Sequence, residues 1–371
     1  MNAEPLLWHV PKGGKRSAPN ASELTTLDTM RTTFTKFLLL LLGTTFTLLA
    51  LEAAARVLVR LGVVDYWRPM KTVWVEGTDD WRLNHITADN LREPDPILFW
   101  KPVARSPYNS QRFKGPVMAA PKPPEVFRIL CYGDSNTDGP KEGGWPEALQ
   151  EMLNQPKSPS GRRYEVVNAG VAGYSSHQGF LRFQQEVNVY KPDLVIVSFG
   201  WNDVAVAVGR PDHEFQPSWL QAHLLRWLFK SRLYLVLLEY ISLRSSSAID
   251  QTLPAVARVP VTQYLANMER FANLARQHGA SIVFLTRPHR EPAATLSRLP
   301  PWRGNVPSYN TALRAWAVER RLSLLDVEAL FDNLGAAYFS DECHLTKDGH
   351  RTLAEALASV LSREALLPDA A

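Results

Sequence analysis

Beyond residue 124 the sequence predicts a three-layer α/β/α sandwich built on a mainly parallel five-stranded sheet, preceded by one N-terminal transmembrane helix. Three observations carry this expectation. Short apolar runs alternate with helix-period segments over residues 125–365, polar motifs fall at the ends of those runs, and a long uncharged stretch stands apart near the N-terminus. Strands alternating with helices imply parallel strands joined by crossovers that cover both sheet faces.

Residues 1–33 hold little core-forming material and are expected to be a disordered tail. Residues 37–51, FLLLLLGTTFTLLAL, carry no charge. That run is shorter than the ~20 residues a membrane span needs, but the flank from Phe34 to Ala55 supplies the rest, and the anchor is placed at 34–62. A cleaved signal peptide fits less well, because 36 residues precede the apolar run and no A-x-A-like site marks a mature start. A buried globular helix fits poorly too, because this one is apolar all round. Lys12, Lys15, Arg16, Arg31 and Lys36 precede the run, and Arg56, Arg60, Arg68 and Lys71 follow it, so the basic residues do not fix its orientation.

Residues 63–124, rich in Pro, Trp and polar side chains, read as a stalk or a wrap ending in the stiff connector APKPPE. The domain then runs from 125 to 365. Strands are expected at VFRILCY (126–132), YEVVNAG (164–170), DLVIVSFG (193–200), SIVFLT (281–286) and LSLLDV (322–327). Helices are expected at 145–153, 178–189, 261–279, 311–321 and 347–361. A helical insert occupies about 204–258; its apolar stretch 216–243 reads as a helix pair packed on the domain, or as a lid or membrane-facing element beside the site.

Composition narrows the function. The chain has 371 residues, 45% hydrophobic, enough to bury a full core. Its formal charge is +4, yet residues 1–75 hold nine Lys/Arg against five Asp/Glu, leaving 32 of each in the remainder. A neutral domain speaks against nucleic-acid binding, which needs a concentrated basic face. Cys131 and Cys343 are too few for a disulfide framework and lack zinc-site spacing; they read as buried or incidental thiols.

In open parallel sheets ligands bind beyond the carboxyl ends of the strands, which gives the motifs a common address. Ser135 lies three residues past the first strand in GDSNT, where it is either a nucleophile or part of an ordinary Gly/Asp/Ser/Asn turn. The second strand ends in NAGVAGYSS, where Gly170 and Gly173 let backbone N–H groups come close to a substrate. The third ends in GWND, placing Asn202 at the same edge, where it could equally cap a helix or hold a turn. A serine nucleophile needs an imidazole to take its proton, and the imidazole needs an acceptor on its other nitrogen. Asp341 and His344, in SDECHLTKDGH, could supply both from one loop. Acid and base adjacent in sequence, three residues apart in one loop, is not the arrangement of the G-x-S-x-G hydrolases. His177, His289 and His350 are rival bases, with His350 more suited to packing or capping.

The four blocks GDSNT (133–137), NAGVAG (168–173), GWND (200–203) and DECH (341–344) together resemble the SGNH hydrolases, or GDSL lipase/esterase superfamily, over about residues 127–361. The resemblance implies a flavodoxin-like sandwich and a metal- and cofactor-free mechanism. Ser135 would be the nucleophile, His344 the base and Asp341 its orienting acid. The oxyanion hole would combine the N–H groups of Ser135 and Gly173 with the Asn202 side chain. Asn136 replaces the leucine of the GDSL name, a variable position to which no catalytic role is given. Asp138, Lys141 and Glu142 are candidates for shaping an acyl or sugar pocket. The YNSQRFKG element at 108–115 is similar to a stretch of bacterial membrane-anchored members, generally extracytoplasmic and often tied to surface polysaccharide.

The expected function is a membrane-anchored serine esterase, its domain on the extracytoplasmic (periplasmic) side, acting on an acyl ester, O-acetyl or lipid, carried by a glycan or lipid. One alternative is an O-acyltransferase that uses the same triad to modify a surface polysaccharide. Another is a non-catalytic polysaccharide-assembly protein, which would have lost at least one of the chemical roles filled here.

Overall fold

The computed structural model describes residues 21–66, 91–155, 163–208, 210–245, 255–291 and 305–368. The chain forms two compact units, Met1–Val64 and Asp65–Ala371.

Among the described residues the first unit holds one helix, α1 (Ala21–Arg60), of which Asp28–Arg60 is long and apolar enough to cross a membrane. Phe37, Leu40, Phe46 and Leu49 are each more than 60% exposed, so no protein core covers them. The polar groups within the run are satisfied locally: Thr44 and Thr47 donate their hydroxyls to Leu40 O and Gly43 O, both at 2.9 Å. The two interrupting charges, Glu52 and Arg56, pair at 2.8 Å one turn apart. Such self-satisfaction is what a hydrocarbon environment demands. Residues 21–33, expected to be disordered, are helical instead. No Gly or Pro lies between Ala21 and Lys36, so helix propagates back from the apolar run at one hydrogen bond per residue. Residues 1–20 of the expected tail lie outside the described residues.

The second unit opens with an antiparallel hairpin of β1 (Arg92–Asp95) and β2 (Phe99–Pro102). Then follow β3 (Val126–Gly133), α2 (Ser135–Asp138), α3 (Trp145–Leu153), β4 (Arg163–Asn168), α4 (Ser176–Tyr190) and β5 (Leu194–Ser198). The insert comprises β6 (Val206–Val208), α5 (Trp219–Leu228), α6 (Arg232–Ser245) and β7 (Ala255–Ala257). The chain closes with α7 (Val261–Gln277), β8 (Ser281–Leu285), α8 (Val306–Arg320), β9 (Ser323–Leu325), α9 (Val327–Leu334) and α10 (Lys347–Arg363).

Five strands make a parallel sheet in the order β4-β3-β5-β8-β9. Side chains alternate across it, as the twofold strand period requires. Leu130, Tyr132, Val195, Val197, Ile282 and Phe284 enter one core with residues of α4, α7 and α8. Ile129, Cys131, Leu194, Ile196, Val283 and Leu285 enter the other, with residues of α3, α9 and α10. This is the three-layer sandwich that the sequence predicts. From β3 the chain moves first to β4 on one side and later to β5 on the other. The crossovers therefore part at the carboxyl end of β3, the switch point where such sheets open a crevice.

Several features were not legible beforehand. Helix α9 follows β9 directly, capped by Asp326, whose carboxylate accepts the Ala329 N–H at 3.2 Å; in the sequence that Asp looks like the end of a strand. The insert is helical only in part: β6 and β7 pair antiparallel at its base and tie it shut. Between β1 and β3, Leu98, Trp100, Phe113 and Met118 are at most 5% exposed and belong to the first core, so this part of the expected stalk or wrap is an integral piece of the sandwich.

Candidate active site

Ser135 is the first residue of α2, directly after β3. Asp134 caps that short helix, its carboxylate accepting the Asn136 N–H at 3.0 Å, while Arg287, at the end of β8, donates to the same oxygen at 2.9 Å. Arg287 also donates to Ser198 Oγ at the end of β5, so one buried guanidinium ties together the ends of three strands. Gly133 has no room for a side chain: a Cβ there would lie 2.0 Å from Thr137 Oγ1 and 2.8 Å from Ser198 O. The tight turn thus presents Ser135 Oγ outward.

Ser135 Oγ lies 2.7 Å from His344 Nε2, and His344 Nδ1 lies 2.6 Å from Asp341 Oδ2. A carboxylate can only accept at Nδ1, so that nitrogen carries the proton and Nε2 is left to accept from the serine hydroxyl. Burial works to raise the Asp341 pKa. Hydrogen bonds from the Cys343 and His344 N–H groups, at 2.9 and 2.8 Å, and the imidazole itself outweigh it, so the acid is held below its ordinary value and stays ionised. The His344 and Asp341 side chains are 41% and 53% exposed, which leaves the relay open to solvent.

The loops after β4 and β5 are knitted to this turn. Val171 N–H donates to Gly133 O at 3.0 Å, and a Cβ on Gly170 would lie 2.2 Å from Asp138 N, so Gly170 serves close packing against α2. Gly173 has φ +84°, a conformation other residues rarely take, and its N–H meets no acceptor among the described residues. Its carbonyl accepts from Arg258 Nη1 at 2.9 Å. Asn202 donates one amide hydrogen to Tyr174 O, at 3.0 Å. The structure thus links Ser135, His344 and Asp341 through hydrogen bonds, and ties Asn202 to the loop that carries Gly173.

Of the rival imidazoles, His289 is engaged elsewhere and the other two are buried. His289 Nε2 lies 2.6 Å from Glu328, and this partner, with the Glu291 carbonyl, raises its pKa despite burial. Burial lowers the His177 and His350 pKa values to about 4 and keeps both neutral. Cys131 belongs to the second core, whereas Cys343 packs against the first; both are free, and burial pushes both thiols up.

With Lys141, Asp138 lines a pocket beside the YNSQRFKG element, and Asp138 also has a structural part. It is buried, accepts Tyr108 Oη at 3.0 and 3.1 Å, and pairs with Lys114 Nζ at 3.1 Å. Lys114 also donates to the carbonyls of Asp138, Gly139 and Pro140, at 2.5, 2.9 and 3.2 Å. The YNSQRFKG element is therefore a clamp on the end of the nucleophile helix. Sequence reasoning also missed Arg287, Arg258 and Asp203. Asp203 accepts the Ser176 N–H at the start of α4, and burial raises its pKa to about 7. A signal for Arg287 was present, since it follows the fourth strand at the edge shared by the other motifs.

Residues 131–352 match the GDSL-like Lipase/Acylhydrolase family, and the chain belongs to it. Among curated proteins it is 34% identical over 86 residues to the uncharacterized lipoprotein YqeF of Bacillus subtilis, which covers 22% of this chain and 35% of that protein. It is 32% identical over 79 residues to an arylesterase of Vibrio mimicus, 20% of this chain and 38% of the relative. The match thus spans little more than a third of either relative's length. Among solved structures, an acetylxylan esterase from Geobacillus stearothermophilus is similar with 20% identity and a TM-score of 0.43, over 63% of this chain and 93% of its own.

Proposed function

We propose that this chain is a membrane-anchored serine esterase that cleaves an acyl ester through an acyl-serine intermediate. The carrying observation is the relay Ser135 Oγ to His344 Nε2 at 2.7 Å, continued to Asp341 at 2.6 Å. Ser135 Oγ attacks the ester carbonyl carbon as His344 Nε2 takes its proton, and Asp341 stabilises the resulting imidazolium. The carbonyl oxygen, now an oxyanion, is received by the Ser135 and Gly173 N–H groups and the spare Asn202 amide hydrogen. The tetrahedral intermediate collapses, breaking the ester C–O bond, and His344 returns its proton to the departing alcohol. Water then repeats the sequence on the acyl-serine and releases the acid.

Family membership and the filled chemical roles support this reading over a non-catalytic assembly protein. The exposure of His344 and Asp341 leaves room for a sugar hydroxyl in place of water, which sustains the second reading, an O-acyltransferase acting on a surface polysaccharide. An O-acetyl or lipid ester on a glycan or lipid is the proposed substrate class. The apolar helix α1 serves as the anchor in this proposal, with the catalytic unit on the extracytoplasmic face. The description of the Bacillus relative as a lipoprotein agrees with an envelope location.

The test is turnover of nitrophenyl esters of graded chain length, and labelling by a fluorophosphonate, using the full chain in detergent beside Ser135→Ala. Loss of both in the variant is expected; equal labelling would refute the nucleophile assignment. Adding an oligosaccharide separates the readings, since a transferase makes acyl sugar at the expense of free acid. Protease accessibility in intact cells reports the side of the membrane.

A further inference from the structure

The loop that carries Asp341 and His344 is bonded mainly to itself and to Tyr338: the Cys343 and His344 N–H groups donate to Asp341 Oδ1 at 2.9 and 2.8 Å, and the Thr346 N–H donates to Tyr338 O at 2.8 Å, none of these bonds reaching the turn that bears Ser135. The Ser340 N–H and hydroxyl both donate to His344 O, at 2.8 and 3.1 Å, and Arg290 N–H donates to Glu342 O at 2.9 Å. The Asp341–His344 pair is too exposed to fix the loop, because solvent-screened pairs contribute little. Something else must set the distance from His344 to Ser135.

Asn136 does so from the neighbouring position of the nucleophile helix. It is 3% exposed; its Nδ2 donates to Cys343 O at 2.6 Å, and its Oδ1 accepts the Leu345 N–H at 3.1 Å. Those two backbone groups flank His344 on either side. We infer that Asn136 is a positioning residue that holds the base in register with the nucleophile. The inference rests on the reading of Ser135 and His344 given above. It reverses the expectation that position 136 has no part in catalysis.

The chemistry of the amide is specific to this task. One end must donate and the other accept at the reach of a two-carbon side chain, which only Asn provides among neutral residues. Leucine, similar in size, would leave Cys343 O and Leu345 N–H unpaired. The segment between the buried Leu345 and the part-buried Cys343, which carries the half-exposed His344 side chain, relieves that by shifting toward water, carrying the imidazole away from Ser135 while the sandwich stays folded. Misplacement of a catalytic group by about 1 Å is enough to lower turnover ~100-fold.

The experiment compares Asn136→Leu and Asn136→Asp with the native chain, using nitrophenyl acetate turnover, fluorophosphonate labelling and thermal unfolding. For Asn136→Leu, kcat and labelling rate should fall together by ~10- to 100-fold, with KM and unfolding temperature nearly unchanged. Asn136→Asp provides a readout that a merely structural role would not move. Its neutral carboxyl donates and accepts like the amide, whereas its ionised form repels Cys343 O. The ratio of its kcat to the native value should therefore rise as pH falls from 8 to 5; Asp134, Asp341, Cys343 and Arg287 are common to both proteins and enter both profiles. If Asn136→Leu keeps kcat and labelling within about twofold of native while Ser135→Ala abolishes them, the inference fails and the esterase reading stands. A flat Asn136→Asp ratio, or activity lost only in step with unfolding, overturns it as well. Equal labelling of Ser135→Ala would instead remove the reading on which it rests.

Discussion

At the scale of single residues the site divides its work between exposed groups poised for chemistry and buried groups that aim them. Asn202, itself buried, has a share in both kinds of work in the proposed mechanism. One amide hydrogen fastens the Gly173 loop through Tyr174 O, and the other is the donor we propose for the oxyanion. Asn202→Ala should therefore lower kcat by ~100- to 1,000-fold, the usual cost of one lost oxyanion donor, with little change in KM. Steady-state kinetics on a short-chain ester checks this, and a comparable rise in KM would place Asn202 in ground-state binding instead. The blocks that bear Ser135, Gly173 and Asn202 could be read from the chain because each joins a strand end to an unusual residue type, and the Asp341/His344 pair because acid and base stand three residues apart just before the last helix. Asn136 could not, because its partners lie 207 and 209 positions away and are backbone atoms, which carry no signature in a sequence.

At the scale of elements the insert proves more than a cover. Its closing strand β7 leads to Arg258, fully buried, which bonds Asp212 through Nε and Nη2 and reaches Gly173 O and Gln178 Oε1. The apolar helices α5 and α6 were visible in the sequence. The arginine was not, because a lone charge in the apolar run AVARVPV shows no purpose until its partner Asp212, 46 positions away, is known. Arg258→Met leaves that carboxylate buried and unpaired, and should cost ~3–5 kcal/mol in urea unfolding. Adding Asp212→Leu should recover much of the loss, since it is the orphaned charge that is expensive. If the double variant is no more stable than the single one, the pair is not acting as a unit.

At the scale of the whole molecule, buried titratable groups give stability a pH dependence whose sign can be worked out. His177 and His350 are lowered by burial from 6.5 to about 4. Between those values the unfolded chain binds two protons that the native state refuses, so these groups make stability fall as pH drops. Asp203 opposes them: its pKa is raised by burial from 3.8 to about 7, so the native state holds a proton the unfolded chain releases, and its contribution declines as pH rises. In the shared window near pH 5 the two imidazoles outnumber the carboxyl by one proton. From these three groups stability should rise with pH by ~1.4 kcal/mol per unit. Urea unfolding at pH 4.5, 5.5 and 6.5 measures the slope, and His177→Gln or His350→Gln should each remove about one proton's worth of it. A slope that survives both substitutions would exclude these imidazoles as its source.

The clamp of Tyr108 and Lys114 on the end of α2 also decides where a working catalytic fragment must start. Judged by its strands, the sandwich begins at Val126, and a gene cut there would keep every strand of the main sheet as well as Ser135, Asp341 and His344. Such a fragment would lose the ammonium that gathers three carbonyls behind the nucleophile, together with Trp100 and Phe113 from the core. The functional boundary for cloning or for transplanting this domain therefore lies upstream of β1, some thirty residues before the fold by itself would place it.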